Sequence, residues 1–324
     1  MATNEPGLDA VQAARSRIES VITRTPLIPS PQLSYLDSNV YLKLESLQTT
    51  GSFKLRGATN KLSSLVDDER ERGVITVSSG NHGRAVSYLS KKLGINAVVC
   101  ISEAVPANKV NAIRDLGAEV IISGRTYDEA NETALRIKAE RALTFIHPFD
   151  DYHVIAGQGT IGLELVEDLP EIDTVIVPLS GGGLLCGIAM ALKSINPSIY
   201  TVGVTMEHGA AVHESLKAGK IVQVDEYPTL ADALPGGLGD VNIYTFKMIQ
   251  KYVDETVLVS EEEIADAMRF AVEKHRLVVE GGGAVGIAAL KNGKIKKRGK
   301  HTAIIISGGN VDTSILTRVL QDKI

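Results

Sequence analysis

The stretch "SFKLRGA", residues 52–58, sets a single lysine, Lys54, between an aromatic ring and an arginine, directly after Thr49-Thr50-Gly51. A lysine in such a setting is ordinarily a solvated charge and almost never fully buried. Held away from water, the same amine becomes a nucleophile for a carbonyl carbon. Three small-residue turns could accompany it. "SSGNHG" (78–83) offers hydroxyls and a close backbone approach at a helix start, suited to a carboxylate, although Ser78 would also serve as a plain helix cap. "SGGGL" (180–184) exposes consecutive N–H groups at another helix start, the geometry that cradles a phosphate, although a flexible turn would look the same. It has neither the Gly-Lys-Ser/Thr ending of a nucleotide loop nor the Gly-x-Gly-x-x-Gly spacing of a dinucleotide site, so one phosphate fits better than a pyrophosphate. "SGGNVD" (307–312) brings Ser307, a neutral hydroxyl that can meet a ring nitrogen or merely cap the next element. Glu280, in "VVEGGGA", ends an apolar run, where a glutamate is usually solvated.

Taken jointly, these parts ask for a ligand with one phosphate, an aromatic ring and a carbonyl that accepts an amine. Pyridoxal 5'-phosphate has all three, and Lys54 is then the Schiff-base lysine. The order of the motifs along the chain carries this reading, since no single one does.

The elements that must position these turns alternate between two periods. Leu8, Val11, Ile18 and Ile22 recur at helical spacing before "RTPLIP", where two prolines stop the helix. "VYLKLE" (40–45), "GVITV" (73–77), "NAVVCIS", "AEVIIS", "DTVIVPL" (173–179), "VLVS" and "HTAIIIS" (301–307) read as strands separated by helix-length segments. Ser260 and Glu263 form the Ser-x-x-Glu signature of a helix start. Continuous Val/Ile runs between helices imply parallel strands covered on both faces. The expected fold is α/β, with two doubly wound open-sheet domains. Ligands of such sheets sit at the carboxyl ends of strands, where all three turns fall.

Composition narrows the function classes. The chain has 324 residues, 44% hydrophobic and 23% charged, with 30 glycines and a net charge of −5. Its acidic balance argues against a nucleic-acid partner. No apolar run approaches the length of a membrane span, and no secretory signal pattern opens the chain. Cys100 and Cys186 lie in apolar runs with no metal or disulfide spacing, which points to a reducing compartment and a cytoplasmic protein.

In order, "SFKLRGA", "SSGNHG", "HPFDDYHVIAGQGTIGLE", "SGGGLL", "VVEGGGAVGIAAL" and "SGGNVD" resemble the serine/threonine dehydratase and serine racemase group of fold-type-II pyridoxal-phosphate enzymes, over nearly the whole chain. The resemblance implies a larger domain of residues 1–72 and 151–324, a small mobile domain of residues 73–150, and a homodimer. It implies that Lys54 carries the cofactor and Phe53 packs by its ring. Asn81 bonds the 3'-oxygen, and Ser180, Gly181, Gly182, Gly183 and Leu184 hold the phosphate. Ser307 faces the pyridine nitrogen, and Glu280 is counted with the cofactor-binding residues. The backbone of Ser78, Ser79, Gly80, Asn81 and His82 would take the substrate carboxylate. Ser79 matches the serine that racemases of the group place opposite the lysine.

Three positions depart from the group. Ser180 replaces a fourth glycine of the phosphate loop. Thr205 and Ala211 stand where many relatives carry acids for a divalent cation, and Glu207 is out of register, so no metal is expected. The turn Ala231-Asp232-Ala233-Leu234-Pro235 replaces an Ala-Asp-Gly turn and implies a reshaped substrate pocket. The expected reaction is loss of water and ammonia from a β-hydroxy-α-amino acid, giving a 2-oxo acid, with racemisation as a companion activity. Alternatives are an amino-acid racemase or a catabolic dehydratase for 3-hydroxyaspartate, phenylserine or a hydroxyectoine-derived hydroxy amino acid. More distant rivals are a dinucleotide oxidoreductase, which the glycine spacing disfavours, an amino-acid-binding module, which has no need of Lys54, and a β-replacement enzyme.

Overall fold

A computed structural model describes residues 5–35, 37–78, 80–103, 105, 107–239 and 241–323. Ten strands are present among them: β1 (Leu27–Pro29), β2 (Asn39–Leu44), β3 (Val74–Val77), β4 (Ala97–Ile101), β5 (Glu119–Ile122), β6 (Thr144–Phe145), β7 (Thr174–Pro178), β8 (Tyr200–Met206), β9 (Glu255–Val259) and β10 (His301–Ile306). They form a six-stranded sheet in the order β1-β2-β10-β7-β8-β9 and a four-stranded sheet in the order β5-β4-β3-β6. Every residue of β3, β4 and β7 is buried, the pattern of strands covered on both faces.

All strand pairings are parallel, as the Val/Ile runs imply, except one, which involves a strand that the sequence pattern does not mark. β1 runs antiparallel to β2 at the edge of the large sheet. Pro29 lacks an N–H for a ladder, and an edge strand is where a sheet tolerates that. The first helix, Leu8–Ile18, also stops short of Ile22. There the chain tightens, with the Val21 N–H donating to the Ile18 carbonyl at 2.9 Å. Val21 and Ile22 instead pack against the core beside the small sheet, with Leu55 and Leu62. The capping signature at Ser260 holds: its Oγ accepts from the Glu263 N–H at 3.3 Å, and the Glu263 carboxylate accepts from the Ser260 N–H at 2.8 Å.

Because the strands are parallel, their carboxyl ends line one edge of each sheet. From that edge the chain leaves β7 for Ser180, β10 for Ser307, β3 for Ser78, and β2 for the turn that reaches Lys54. Two of these exits are stitched together. The Phe53 N–H donates to the Ser307 carbonyl at 3.0 Å, and the Gly309 N–H to the Gly51 carbonyl at 3.0 Å. Gly51 has φ +77°, and a Cβ there would lie 2.4 Å from Asn310 Oδ1, so only glycine makes this turn.

Below the turn lies a group of charges that sequence patterning did not reveal. Arg56 is fully buried, two residues into the helix that starts at Lys54 (Lys54–Ser63). Its Nε and Nη2 reach both oxygens of Glu45, each at 2.8 Å. Nη1 and Nη2 also reach Glu164, at 2.7 and 2.9 Å, and Nη1 reaches Thr160 Oγ1 at 3.1 Å. Five donors thus find five acceptors. Lys43, also buried, closes the set with Glu164 at 2.6 Å and the Thr25 carbonyl at 2.7 Å. Burial pushes the Glu45 carboxyl up, but Arg56 beside it more than offsets this and holds it below its ordinary range.

Removing one member of a buried ionic set leaves its partners uncompensated. Arg56→Met should therefore cost about 3–5 kcal/mol of stability in urea denaturation. A loss below about 1 kcal/mol, the range of an exposed pair, would show that the set does not anchor the helix.

Candidate active site

Lys54 opens its helix partly buried, with Nζ donating to the Pro148 carbonyl at 2.8 Å and lying 5.2 Å from the centre of the Phe53 ring. Phe53 itself is half-buried against the core of the large sheet. Burial pushes the Lys54 pKa down to about 8, with Glu280 acting in the opposite direction. A position at the positive end of the helix dipole also disfavours an ammonium. Lys54 is therefore not a free surface charge: its amine faces the space between the two sheets and is neutral far more often than an ordinary lysine.

Across that space begins the helix Asn81–Leu93, preceded by Gly80 with no side-chain cap. The Ser78 hydroxyl takes a different bond, accepting from the Gly80 N–H at 3.3 Å, so the plain-cap reading of Ser78 does not hold. The first N–H groups of the helix stay open to an anion. Asn81 is buried and donates through Nδ2 to Glu280 Oε1 at 2.7 Å. His82 turns away, its Nε2 3.0 Å from the Ile146 carbonyl; burial, followed by the nearby Lys54, lowers its pKa to about 3 and keeps it neutral. Ser79 lies outside the described residues.

Glu280 is buried, contrary to the solvated edge that the sequence indicates. It precedes the helix Gly281–Lys291, and its second oxygen accepts from the Asn310 N–H at 3.0 Å. Burial, with the Asp232 charge second, raises its pKa to about 7. A cradle this tight explains the glycine after Ser307, because a Cβ on Gly308 would sit 2.3 Å from Glu280 Oε1.

The glycine loop after β7 leads into the helix Gly183–Ile195, whose start has Gly182 at φ +90° and no side-chain cap. On two of its glycines the close neighbour is Phe149. A Cβ on Gly181 would lie 2.4 Å from the Phe149 ring, and one on Gly183 would lie 2.7 Å from the Phe149 carbonyl. Pro148 and Phe149 thus connect Lys54 to the loop. The next residue, Asp150, accepts three N–H groups, from Ile243, Tyr244 and Thr245, at 2.6–2.9 Å. The motif "HPFDD" was visible in the sequence, but its role as a link was not. Leu184 contributes its side chain to the core, leaving only its backbone for a ligand, and Ser180 is half-buried at the loop's start. Ser307 is buried at the end of β10. The hydroxyls of Thr50 and Ser52, flanking Gly51, are buried without a protein partner.

The residues at the group's cation position do not fit a divalent ion. Thr205 is buried with its hydroxyl 3.1 Å from the Met206 sulfur, Ala211 has no donor, and Glu207 pairs with Lys294 at 3.4 Å. Hard divalent cations require several oxygen ligands, usually with carboxylates among them.

An amine partly withdrawn from water and bonded to Pro148, with uncapped helix starts at the carboxyl edges of both sheets, suits an enzyme that works through a phosphorylated carbonyl cofactor. Residues 18–308 match the model of the pyridoxal-phosphate dependent enzyme family, and the chain belongs to that family. It is 46% identical to an L-threonine ammonia-lyase of Thermotoga maritima, over 97% of this chain and 78% of that protein. To a catabolic L-threonine dehydratase of Staphylococcus aureus it is 42% identical, over 97% and 92% of the two chains. The solved structure of maize serine racemase superimposes with a TM-score of 0.91 at 36% identity, covering 98% of each chain. The residues present fit the family's cofactor: an amine, an open helix start for a phosphate, and buried hydroxyls with hydrogen bonds left to make.

If the loop holds the phosphate while Phe149 braces it, Gly183→Ala must displace Phe149 or the loop. The affinity for pyridoxal phosphate, followed by absorbance titration, should fall at least about tenfold, with about 1–3 kcal/mol lost in stability from overpacking. An unchanged dissociation constant would remove the loop from the cofactor site.

Proposed function

We propose that this protein is a pyridoxal-phosphate-dependent ammonia-lyase that dehydrates a β-hydroxy-α-amino acid to a 2-oxo acid and ammonia, L-threonine and L-serine being the first substrates to test. The observation that carries the reading is Lys54, a lysine whose burial lowers its pKa to about 8, beside an open phosphate-type helix start. The named activities of the Thermotoga and Staphylococcus relatives support the same reaction. When bound, the cofactor supplies the electron sink that makes breaking the substrate Cα–H bond feasible.

The chain's own residues do the rest. At pH 7 about one Lys54 amine in ten is neutral, against about one in three thousand for a lysine at 10.5, so Lys54 can take the Cα proton near neutral pH. The uncapped N–H groups after Ser78 hold the substrate carboxylate, and those of Ser180 to Leu184 the phosphate. The Asn81 Nδ2 carries two hydrogens, of which Glu280 takes one, leaving the other for the cofactor's 3'-oxygen. Ser307 meets the ring nitrogen as a neutral hydroxyl. A carboxylate there would keep that nitrogen protonated, so the hydroxyl favours prompt loss of a β-substituent over transamination. Phe53 packs along the ring. In this reading residues 73–150 close over residues 1–72 and 151–324, and the protein works as a cytoplasmic homodimer.

A companion racemase activity draws support from the likeness to the maize enzyme. Ser79, which matches the serine that racemases of the group place opposite the lysine, would return the proton. Ser79→Ala should then depress formation of the D-amino acid more than release of ammonia; equal losses would deny Ser79 a separate role.

Lys54→Ala should abolish ammonia release and leave no cofactor fixed to the protein after borohydride reduction. In the wild type, covalent uptake of pyridoxal phosphate requires the neutral amine. Its rate should climb with pH and level off above about 8. A rise that continues toward 10.5 would return Lys54 to the ordinary lysines.

A further inference from the structure

We propose that Asn310 is a positioning residue: it orients the Asn81 amide and clasps the unit built on the small sheet over the Lys54 turn. The proposal rests on the reading of Asn81 as a ligand-binding amide and of residues 73–150 as the closing unit. Every polar atom of the Asn310 amide is engaged. Its Nδ2 donates to Asn81 Oδ1 at 2.7 Å and to the Thr50 carbonyl at 2.9 Å. Its Oδ1 accepts from Arg84 Nη1 at 2.5 Å. Its backbone N–H donates to Glu280 Oε2 at 3.0 Å.

Three segments therefore meet on one residue, two of them on its side chain. Thr50 belongs to the turn that presents Lys54. Glu280 starts the Gly281–Lys291 helix of the large-sheet unit. Asn81 and Arg84 sit in the first turn of the Asn81–Leu93 helix, which packs beside the small sheet. The polarity runs one way, from the Arg84 cation through Asn310 and Asn81 to the Glu280 carboxylate. That order admits only one orientation of each amide, so it decides which Asn81 atom is presented to a ligand.

An ion pair crosses the same gap farther out. Lys109, on the helix Ala107–Asp115, meets Asp232 of the altered "ADALP" turn at 2.8 Å. It is partly exposed and worth little alone. Asp232 and Lys109 also act on the Glu280 carboxyl, in opposite directions, and Glu280 in turn acts on Lys54. Asn310 is a neutral member among these charges, and it bonds both to the Asn81–Leu93 helix and to the turn that presents Lys54.

Asn310→Asp is the informative change, because it keeps shape and strengthens the link to Arg84. It also removes both Nδ2 donors and turns an oxygen toward the Asn81 and Thr50 oxygens. Hydrogen–deuterium exchange of the full-length protein, with and without pyridoxal phosphate, should show residues 81–93 exchanging about tenfold faster in this variant. Residues 174–178 of β7 should be unchanged. With the cofactor loaded, the pH midpoint of its visible absorbance should move by about one unit, since the Asn81 amide no longer faces the 3'-oxygen in a fixed orientation. Arg84→Met should raise exchange in residues 81–93 but leave that midpoint in place.

Exchange in residues 81–93 equal to wild type would overturn the clasp. A uniform rise across both sheets would reduce Asn310 to a general stability role and overturn it as well. A wild-type protein that binds no pyridoxal phosphate would refute the functional reading, and the exchange result would still decide the clasp.

Discussion

Arg56 is the constraint on which the catalytic geometry depends. Its five N–H groups are taken by Glu45 at the end of β2, by Glu164 and by Thr160, and the side chain is fully buried. Glu164 and Thr160 belong to the long helix Tyr152–Asp168, and Arg56 to the helix that Lys54 begins. A planar fork satisfied in all directions permits little rotation or sliding of that helix. Such a set is a weak source of net stability, because desolvation offsets most of the attraction. What it supplies is a defined direction for the residue two positions earlier.

That direction matters because the rest of the site is assembled from distant segments. Lys54 reaches Pro148, whose neighbour Phe149 lies under the glycine loop, and the turn before Lys54 is bonded to the turn after β10. A small rotation of the Lys54 helix would be transmitted to both. Arg56 on one side of the turn and Asn310 on the other therefore act on the same short piece of backbone. The first fixes the helix to the large unit, and the second ties the turn to the small one.

How much of this the sequence disclosed depended on the range of the interaction. Strands such as "VITV" and "AVVCI" were legible because burial on both faces writes an uninterrupted apolar run, and Ser260 with Glu263 because a cap is local. The three small-residue turns were legible because glycine and serine cluster directly after buried strands, in order along the chain. β1 was not, since three residues ending in proline carry no strand signal without their partner. Lys43, Glu45, Arg56 and Glu164 look like surface charges in sequence, and only folding brings them together. Glu280 misled for the same reason: its burial depends on Gly308 and Asn310, some thirty positions later. Asn310 lay inside a motif valued for its serine, so its own contacts went unread.

One electrostatic feature unites the site. Lys54 is lowered to about 8, Glu280 is raised to about 7, and His82 is held neutral by a pKa near 3. Three groups of different types have all moved toward their uncharged forms, and burial is the first cause in each. At Lys54 the Glu280 charge opposes this, and at Glu280 the Asn81 and Asn310 hydrogen bonds and the Lys109 charge do, but none of them wins against desolvation. Near pH 7 the Lys54 amine is still mostly protonated and Glu280 about half ionised, so burial weakens the charge of the cleft without removing it. The helix starts at Asn81 and Gly183 leave partial positive ends uncapped. Further negative charge would come from whatever binds. A substrate carboxylate and a phosphate monoester each match an open helix end, and their arrival would favour protonation of nearby amines. The amine that must stay neutral to act as a base is the one whose turn is pinned from both sides, so its distance from the incoming anions is set by the fold rather than by their attraction.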